Sequence, residues 1–383
     1  MRALLTGNHA IAEAVRLSRV QLVAAYPITP QTPIYERLSE LEAQGELAGP
    51  MMRMESEHSA MAACISASLT GVRVFTATSS QGLALMHEML HFASGNRAPV
   101  VMACVNRALA LPWAFGSDQT DTLSQRDTAW MQFYCEDNQE ALDTVIQAYK
   151  VSEQVLLPSM VIIDGFFTSH FLEPMEVPEQ SAVDRFLPRC DLPRRFEGKN
   201  PGFVGSVVDA SQYFRFRHRS FDDMDNARAV IKDVDEEYRQ AFGRGYGLIE
   251  AVDAEDAEVV LVTSASITST ARVALQSLRA KGYGVGLLKI KAFRPFPTEE
   301  VQQMLKGISR VAVVDRNISI GKEGIFCQEL KAALYPLDRR PMIFGYIAGL
   351  GGTDVSPEVL EGVVTDTLRR DQPGDLPVWI GGE

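Results

Sequence analysis

Val20-Gln21-Leu22-Val23-Ala24-Ala25-Tyr26-Pro27-Ile28-Thr29-Pro30-Gln31-Thr32-Pro33 is the stretch whose reading decides the fold. Val20 to Ala25 is an apolar run and reads as a buried strand. The residue before a proline is pushed out of the helical region, so two X-Pro steps keep the next segment extended. Thr29 sits between those prolines, at the strand end. Gln31 or Thr32 precedes a helical pattern, and Pro33 suits a first helical turn. In a parallel α/β sheet such a strand end faces the ligand crevice. The stretch reads either as a rigid loop holding an anion beside a helix start or as a proline-stiffened turn.

The same alternation continues on both sides. Asn8–Arg19 has helical spacing, followed by the strand, the loop and a helix over Pro33–Gln44. Met51–Met54 reads as a strand, residues 57–69 as a small-residue helix, and Val72–Ala77 as a strand. Thr78-Ser79-Ser80-Gln81-Gly82 is a polar strand-to-helix loop, with a helix expected to about Ala93. Pro99–Val105 is a strand ending at Asn106-Arg107. Residues 111–121 form a long irregular loop, of the kind that is usually functional. Trp130–Tyr134 and Met160–Ile163 read as strands around an Asn138–Glu153 helix.

Residues 174–222, rich in Pro, Arg, Gly and aromatics, read as a linker, and Asp223–Arg244 as an amphipathic helix. The basic runs Arg194-Arg195 and Phe214–Arg219 read as solvated linker rather than a phosphate site, because no glycine-rich phosphate loop accompanies them. A fresh strand–helix pattern starts at Ala257, with a last strand at Met342–Gly345. The predicted fold class is therefore α/β, with two doubly wound domains at 1–245 and 246–383.

Bulk properties agree with that class. A chain of 383 residues is too long for one ordinary core. A formal net charge of −12 argues against nucleic acid or an anionic membrane as partner. No apolar run approaches the ~20 residues of a membrane span, and the N-terminus lacks a signal-peptide pattern. Both features predict a cytoplasmic protein. The five cysteines are scattered without a C-x-x-C pair, which disfavours a disulfide framework, a structural zinc or an iron–sulfur cluster on this chain.

Three groups of residues could carry chemistry. Glu57, two residues from Glu55, opens the small-residue helix. Burial beside Ala60, Ala62 and Ala63 would raise its pKa; alternatively it only complements the helix dipole. Arg107 ends a strand on the same edge as Thr29 and the 78–82 loop. A guanidinium there suits a small carboxylate, or else pairs with Asp118 or Asp121 to hold the loop. His87-Glu88-Met89-Leu90-His91 matches the zinc-hydrolase pattern H-E-x-x-H. Its apolar helix and missing third ligand favour buried, hydrogen-bonded histidines instead.

Taken together, Tyr26–Pro30, Glu55–Ala60, Thr78–Gly82, Arg107, Asp118–Asp127 and Asp164-Gly165-Phe166 resemble the alpha subunit of thiamine-diphosphate-dependent 2-oxoacid:ferredoxin oxidoreductases, pyruvate synthase being the nearest type. The resemblance implies a thiamine pyrimidine-binding domain followed by a transketolase C-terminal-like domain. It implies oxidative decarboxylation of a 2-oxoacid, pyruvate first, to an acyl-CoA with electrons passing to ferredoxin. Glu57 would hydrogen-bond the aminopyrimidine ring nitrogen, and Tyr26, Pro27 and Ile28 would line the cofactor. Thr29 and Arg107 would bind the substrate carboxylate.

The chain has no Gly-Asp-Gly, the motif with which thiamine enzymes hold the diphosphate through Mg2+. The resemblance therefore implies a beta subunit for diphosphate and Mg2+, and gamma/delta-type subunits holding [4Fe-4S] clusters. It also implies CoA, and ferredoxin or a flavoprotein subunit, as partners. Trp113 and Phe115 depart from a methyl-sized pocket and leave open a branched-chain or aromatic 2-oxoacid such as phenylglyoxylate, with NAD as a possible acceptor.

Overall fold

A computed structural model describes residues 1–189, 192, 196 and 205–381. Its first sheet has seven strands. Their spatial order is Ala292–Arg294, Met131–Tyr134, Ser159–Asp164, Val101–Asn106, Val74–Thr78, Leu22–Ala25 and Met51–Arg53. All neighbours are parallel except the first pair. Strands buried on both faces read as continuous apolar runs, which is why Val101–Val105 carries no polar alternation. Its side chains nonetheless divide by parity. Val101, Ala103 and Val105 join the core under the Gly7–Leu17 and Asn138–Val155 helices. Met102 and Cys104 face the opposite core, with Met61, Leu90 and residues of the second sheet.

The second sheet runs Val378–Ile380, Met342–Ala348, Arg310–Asp315, Val259–Thr263, Val285–Ile290, Ile249–Val252. Only Ile249–Val252 is antiparallel. Met342–Ala348 is thus not the last strand: the Pro357–Arg369 helix and Val378–Ile380 follow. The two sheets share one core, in which Tyr134 stacks edge-on against Phe293 and Phe326. Ala292–Arg294, which lies beyond residue 246, completes the first sheet's edge. Lys289 is buried between Glu136 and Glu140, with Arg272 closing the cluster from outside. Among the described residues, no helix is long and apolar enough to cross a membrane.

The linker reading of 174–222 is corrected. Arg2–Thr6 pairs antiparallel with Leu172–Glu176, Gln180–Phe186 is helical, and one helix of 33 residues spans Ala210–Phe242. The helix starts early because a capping box supports it: Asp209 accepts from the Gln212 N–H, and the Gln212 side chain accepts from the Asp209 N–H. It ends at Gly243, whose φ of 73° suits glycine. The basic run Phe214–Arg219 is therefore an exposed stretch of helix rather than loop. Arg194 and Arg195 lie outside the described residues. The single helix expected to Ala93 is two, Ser80–Leu85 and His87–Gly95.

Candidate active site

Glu57 is the first residue of the Glu57–Ser68 helix. Ser56 caps that helix, its Oγ accepting from the Ser59 N–H at 3.2 Å. The cap turns Glu57 inward, where it is 5% exposed, while Glu55 stays exposed and accepts from Ser59 Oγ. Burial pushes the Glu57 carboxyl above the usual carboxylate range, against the pull of its own backbone N–H and the Arg107 charge. No other side chain among the described residues donates to it. Gly82 forms its wall: a Cβ there would stand 2.4 Å from Glu57 Oε1 and 2.5 Å from Thr78 Oγ1. Thr78 Oγ1 and Ser79 Oγ are buried beside it without hydrogen-bond partners. A buried carboxyl with free acceptor capacity fits a ligand that donates a ring N–H.

Arg107 follows the Val101–Asn106 strand, and its side chain turns back across the strand ends. Nη1 donates to the Thr29 carbonyl and Nη2 to Gln81 Oε1, both at 2.6 Å. Both acceptors are neutral, and among the described residues no carboxylate pairs with the guanidinium. Burial depresses its pKa, while Asp121 and Glu57 raise it. The ion pair with Asp118 or Asp121 considered above does not form through the side chain. Asp121 accepts from the Arg107 backbone N–H instead, at 3.2 Å. Phe115 lies over the guanidinium, 5.7 Å from ring centre to carbon, on the long loop.

Thr29 reaches Arg107 through its carbonyl, and the residue itself is exposed. Tyr26 and Ile28 are half-buried and Pro27 exposed. Gln31 ties this loop: its side chain donates to the Tyr26 carbonyl at 3.0 Å, and its N–H to the Ile28 carbonyl at 2.9 Å. The structure thus brings Glu57, Arg107, Thr29 and the 78–82 loop to one edge of the sheet. Gln81 and Gly82 escaped sequence reasoning as individual residues, and Asp121 entered it only as a side-chain ion-pair partner of Arg107. A polar residue followed by glycine in a strand-to-helix loop was the available signal for the first two. Nothing local marked the contact of Asp121 with the Ser80 and Arg107 backbones.

Across the crevice, Asp164 binds the second sheet's units. Its carboxylate accepts from Ser117 Oγ and from the Ser266 N–H and Oγ, and pairs with Arg316 at 2.8 Å. Gly116 packs so tightly on the Gly351 carbonyl that a Cβ would lie 1.9 Å from it. The second domain therefore pins the root of the loop that carries Trp113 and Phe115.

His87 and His91 are exposed, not buried. His87 shares a hydrogen bond with Gln125 at 2.5 Å, and the two imidazoles meet edge to face at 5.1 Å. Among the described residues no group of three or more His, Cys, Asp or Glu could hold a metal ion.

Comparison with known proteins bears on the whole chain. The family model "Pyruvate flavodoxin/ferredoxin oxidoreductase, thiamine diP-bdg" matches residues 13–236, and "Pyruvate:ferredoxin oxidoreductase core domain II" matches 257–360. Ketoisovalerate oxidoreductase subunit VorA of Pyrococcus abyssi is 47% identical over 98% of this chain and 96% of its own. Pyruvate synthase subunit PorA of Methanothermobacter thermautotrophicus is 45% identical over 98% and 97%. Two solved structures share the fold. A 2-oxoglutarate:ferredoxin oxidoreductase from Magnetococcus marinus aligns with TM-score 0.76 at 19% identity, over 96% of this chain and 65% of that one. A split-gene transketolase aligns with TM-score 0.55 at 13% identity, over 96% and 99%. Matches of this extent, with the thiamine-binding and core II models in tandem, place the chain in the alpha-subunit family of the 2-oxoacid:ferredoxin oxidoreductases.

Proposed function

We propose that residues 1–245 present the substrate and thiamine-ring half of the active centre, while residues 246–383 brace it. The observation that carries the reading is a buried Glu57, to which no side chain among the described residues donates, beside an Arg107 whose guanidinium meets only neutral acceptors. One site offers an acceptor for a ring nitrogen and a positive charge for a carboxylate.

Glu57 would accept the hydrogen bond of the aminopyrimidine ring nitrogen. Burial raises its pKa, which would favour sharing of that proton. Tyr26, Pro27 and Ile28 would line the cofactor. Arg107 takes the substrate carboxylate, helped by Thr29, and Phe115 shields the charge from water. Thiamine diphosphate, when bound, supplies the nucleophilic carbon and the electron sink for decarboxylation.

The missing Gly-Asp-Gly supports a beta subunit that holds diphosphate and Mg2+. The scattered, buried Cys64, Cys104, Cys135 and Cys327 support separate iron–sulfur subunits that pass electrons to ferredoxin and work with CoA. Pyruvate is the first substrate. A branched-chain 2-oxoacid is the second reading, favoured by Phe115 and Trp113, which stay 59% and 64% exposed on a loop beside Arg107. The test is Glu57→Gln in the assembled complex. Oxidation of 2-oxoacid falls by at least about a hundredfold, the range of a lost proton-transfer group, while subunit association persists. Near-normal turnover would remove Glu57 from the mechanism.

A further inference from the structure

Asp121 is wholly buried, and each of its carboxylate oxygens accepts two donors. Oδ2 takes the backbone N–H of Ser80 at 2.9 Å and of Arg107 at 3.2 Å. Oδ1 takes Asn106 Nδ2 at 2.6 Å and the Thr122 N–H at 2.7 Å. Two strand ends and the long loop therefore meet on one side chain.

Ser80 needs such a clamp. Its φ of 48° lies in the left-handed region, which costs a non-glycine residue energy and persists only where neighbours enforce it. Ser80 Oγ stands 2.7 Å from the Ala108 carbonyl and 2.6 Å from Gln81 Oε1, its single O–H shared between these two acceptors. Gln81 Oε1 in turn accepts from Arg107. The contacts close a ring, Asp121 to Ser80 to Gln81 to Arg107 and back through the Arg107 N–H.

We infer that Asp121 is a positioning residue of the 2-oxoacid site, aiming the Arg107 guanidinium by gripping its backbone and the Ser80–Gln81 turn that holds its other end. This rests on the reading of Arg107 as the carboxylate-binding residue. A carboxylate serving only the Thr120–Leu123 turn would need the Thr122 N–H alone. Three of the donors here come from the other two strand ends.

Asp121→Asn keeps the shape. However its amide turns, an NH2 must face two donors, so the ring opens with little change in volume. The experiment compares Asp121→Asn, Gln81→Leu, Arg107→Ala and Leu38→Ala in the reconstituted complex. Leu38 is a buried helix residue outside the ring and serves as the stability control.

Asp121→Asn and Gln81→Leu are expected to raise the KM for the 2-oxoacid by about tenfold, a loss of about 1.4 kcal/mol. The KM for CoA and kcat at saturation stay near wild type. Should Asp121→Asn not assemble, Gln81→Leu alone decides, because it opens the same ring from the other side. If Arg107→Ala raises that KM but the ring variants do not, the inference falls and the reading of Arg107 stands. Parameters that drift together with Tm, as in Leu38→Ala, also overturn it. An unchanged KM in Arg107→Ala removes the underlying reading itself.

Discussion

Gly82→Ala separates stability from chemistry in this fold. Gly82 lies inside the Ser80–Leu85 helix, where alanine is preferred over glycine by about 0.5–1 kcal/mol. The added methyl would stand 2.4 Å from Glu57 Oε1, 2.5 Å from Thr78 Oγ1 and 2.8 Å from Glu57 Cδ. Ordinary van der Waals contact begins at 3.4 Å, so the carboxyl must retreat by about 1 Å. A retreat of that size breaks a hydrogen bond made by Glu57. A hydrogen bond to a charged group contributes about 1.5–3 kcal/mol, which corresponds to about a 10- to 150-fold loss in kcat/KM. The helix itself remains satisfied, so Tm should stay within about 2 °C of wild type, the shift that about 1 kcal/mol produces in a chain of this length. The assay is anaerobic dye or ferredoxin reduction by 2-oxoacid and CoA in the reconstituted complex, run beside thermal unfolding. Turnover within about twofold of wild type would refute the claim that Gly82 makes room for a working Glu57. So would an activity loss accompanied by collapse of Tm, because the damage would then be global.

Glu136 makes a prediction about acid stability. Burial pushes its carboxyl up, but hydrogen bonds from Arg272 and the Lys289 charge outweigh that and hold it at about 2. A depressed carboxylate pKa stabilises the fold above the unfolded value of about 4.5, and that contribution is lost as pH falls toward 2, amounting to about 3 kcal/mol. Denaturant unfolding at pH 7, 4 and 3 should follow that decline, and Glu136→Gln should flatten it; parallel curves for the two proteins would contradict the assignment. Phe115→Ala is expected to change the ranking of 2-oxoacids by about 1–3 kcal/mol, the scale set by methylene-sized changes in a pocket. A substrate panel giving unchanged ratios would place the Phe115 ring away from the substrate's side chain.

Much of the fold was legible because its signals are local. Val101–Val105 is apolar throughout, as a strand covered on both faces must be. The elements that escaped had no such signal. Arg2–Thr6 and Leu172–Glu176 form a peripheral pair in which only Met175 is buried, so neither shows the long apolar run of a strand covered on both faces. Phe214–Arg219 looked like linker because its aromatics stay exposed; its helix is supported by a cap at Asp209 and by burial that begins only at Ala227. His87 and His91 looked buried from their apolar neighbours, yet only Met86, Leu90 and Ala93 among these are fully buried, and Leu85 and Phe92 are exposed with the histidines.

By itself the sequence determined the type and order of the elements around the site. Proline placement, a serine cap before Glu57 and a polar loop ending in Gly82 act within a few residues, and backbone geometry responds to such neighbours directly. It also determined what the chain lacks, Gly-Asp-Gly and cysteine clusters, and so the expectation of partners. Only the tertiary structure decided how the strand ends meet. Thr29, Gln81, Arg107 and Asp121 converge from separate strand-to-helix connections and helix starts. Burial of Asp121 and the neutral company of Arg107 are properties of that convergence, because desolvation and charge pairing depend on what surrounds a group in space rather than along the chain.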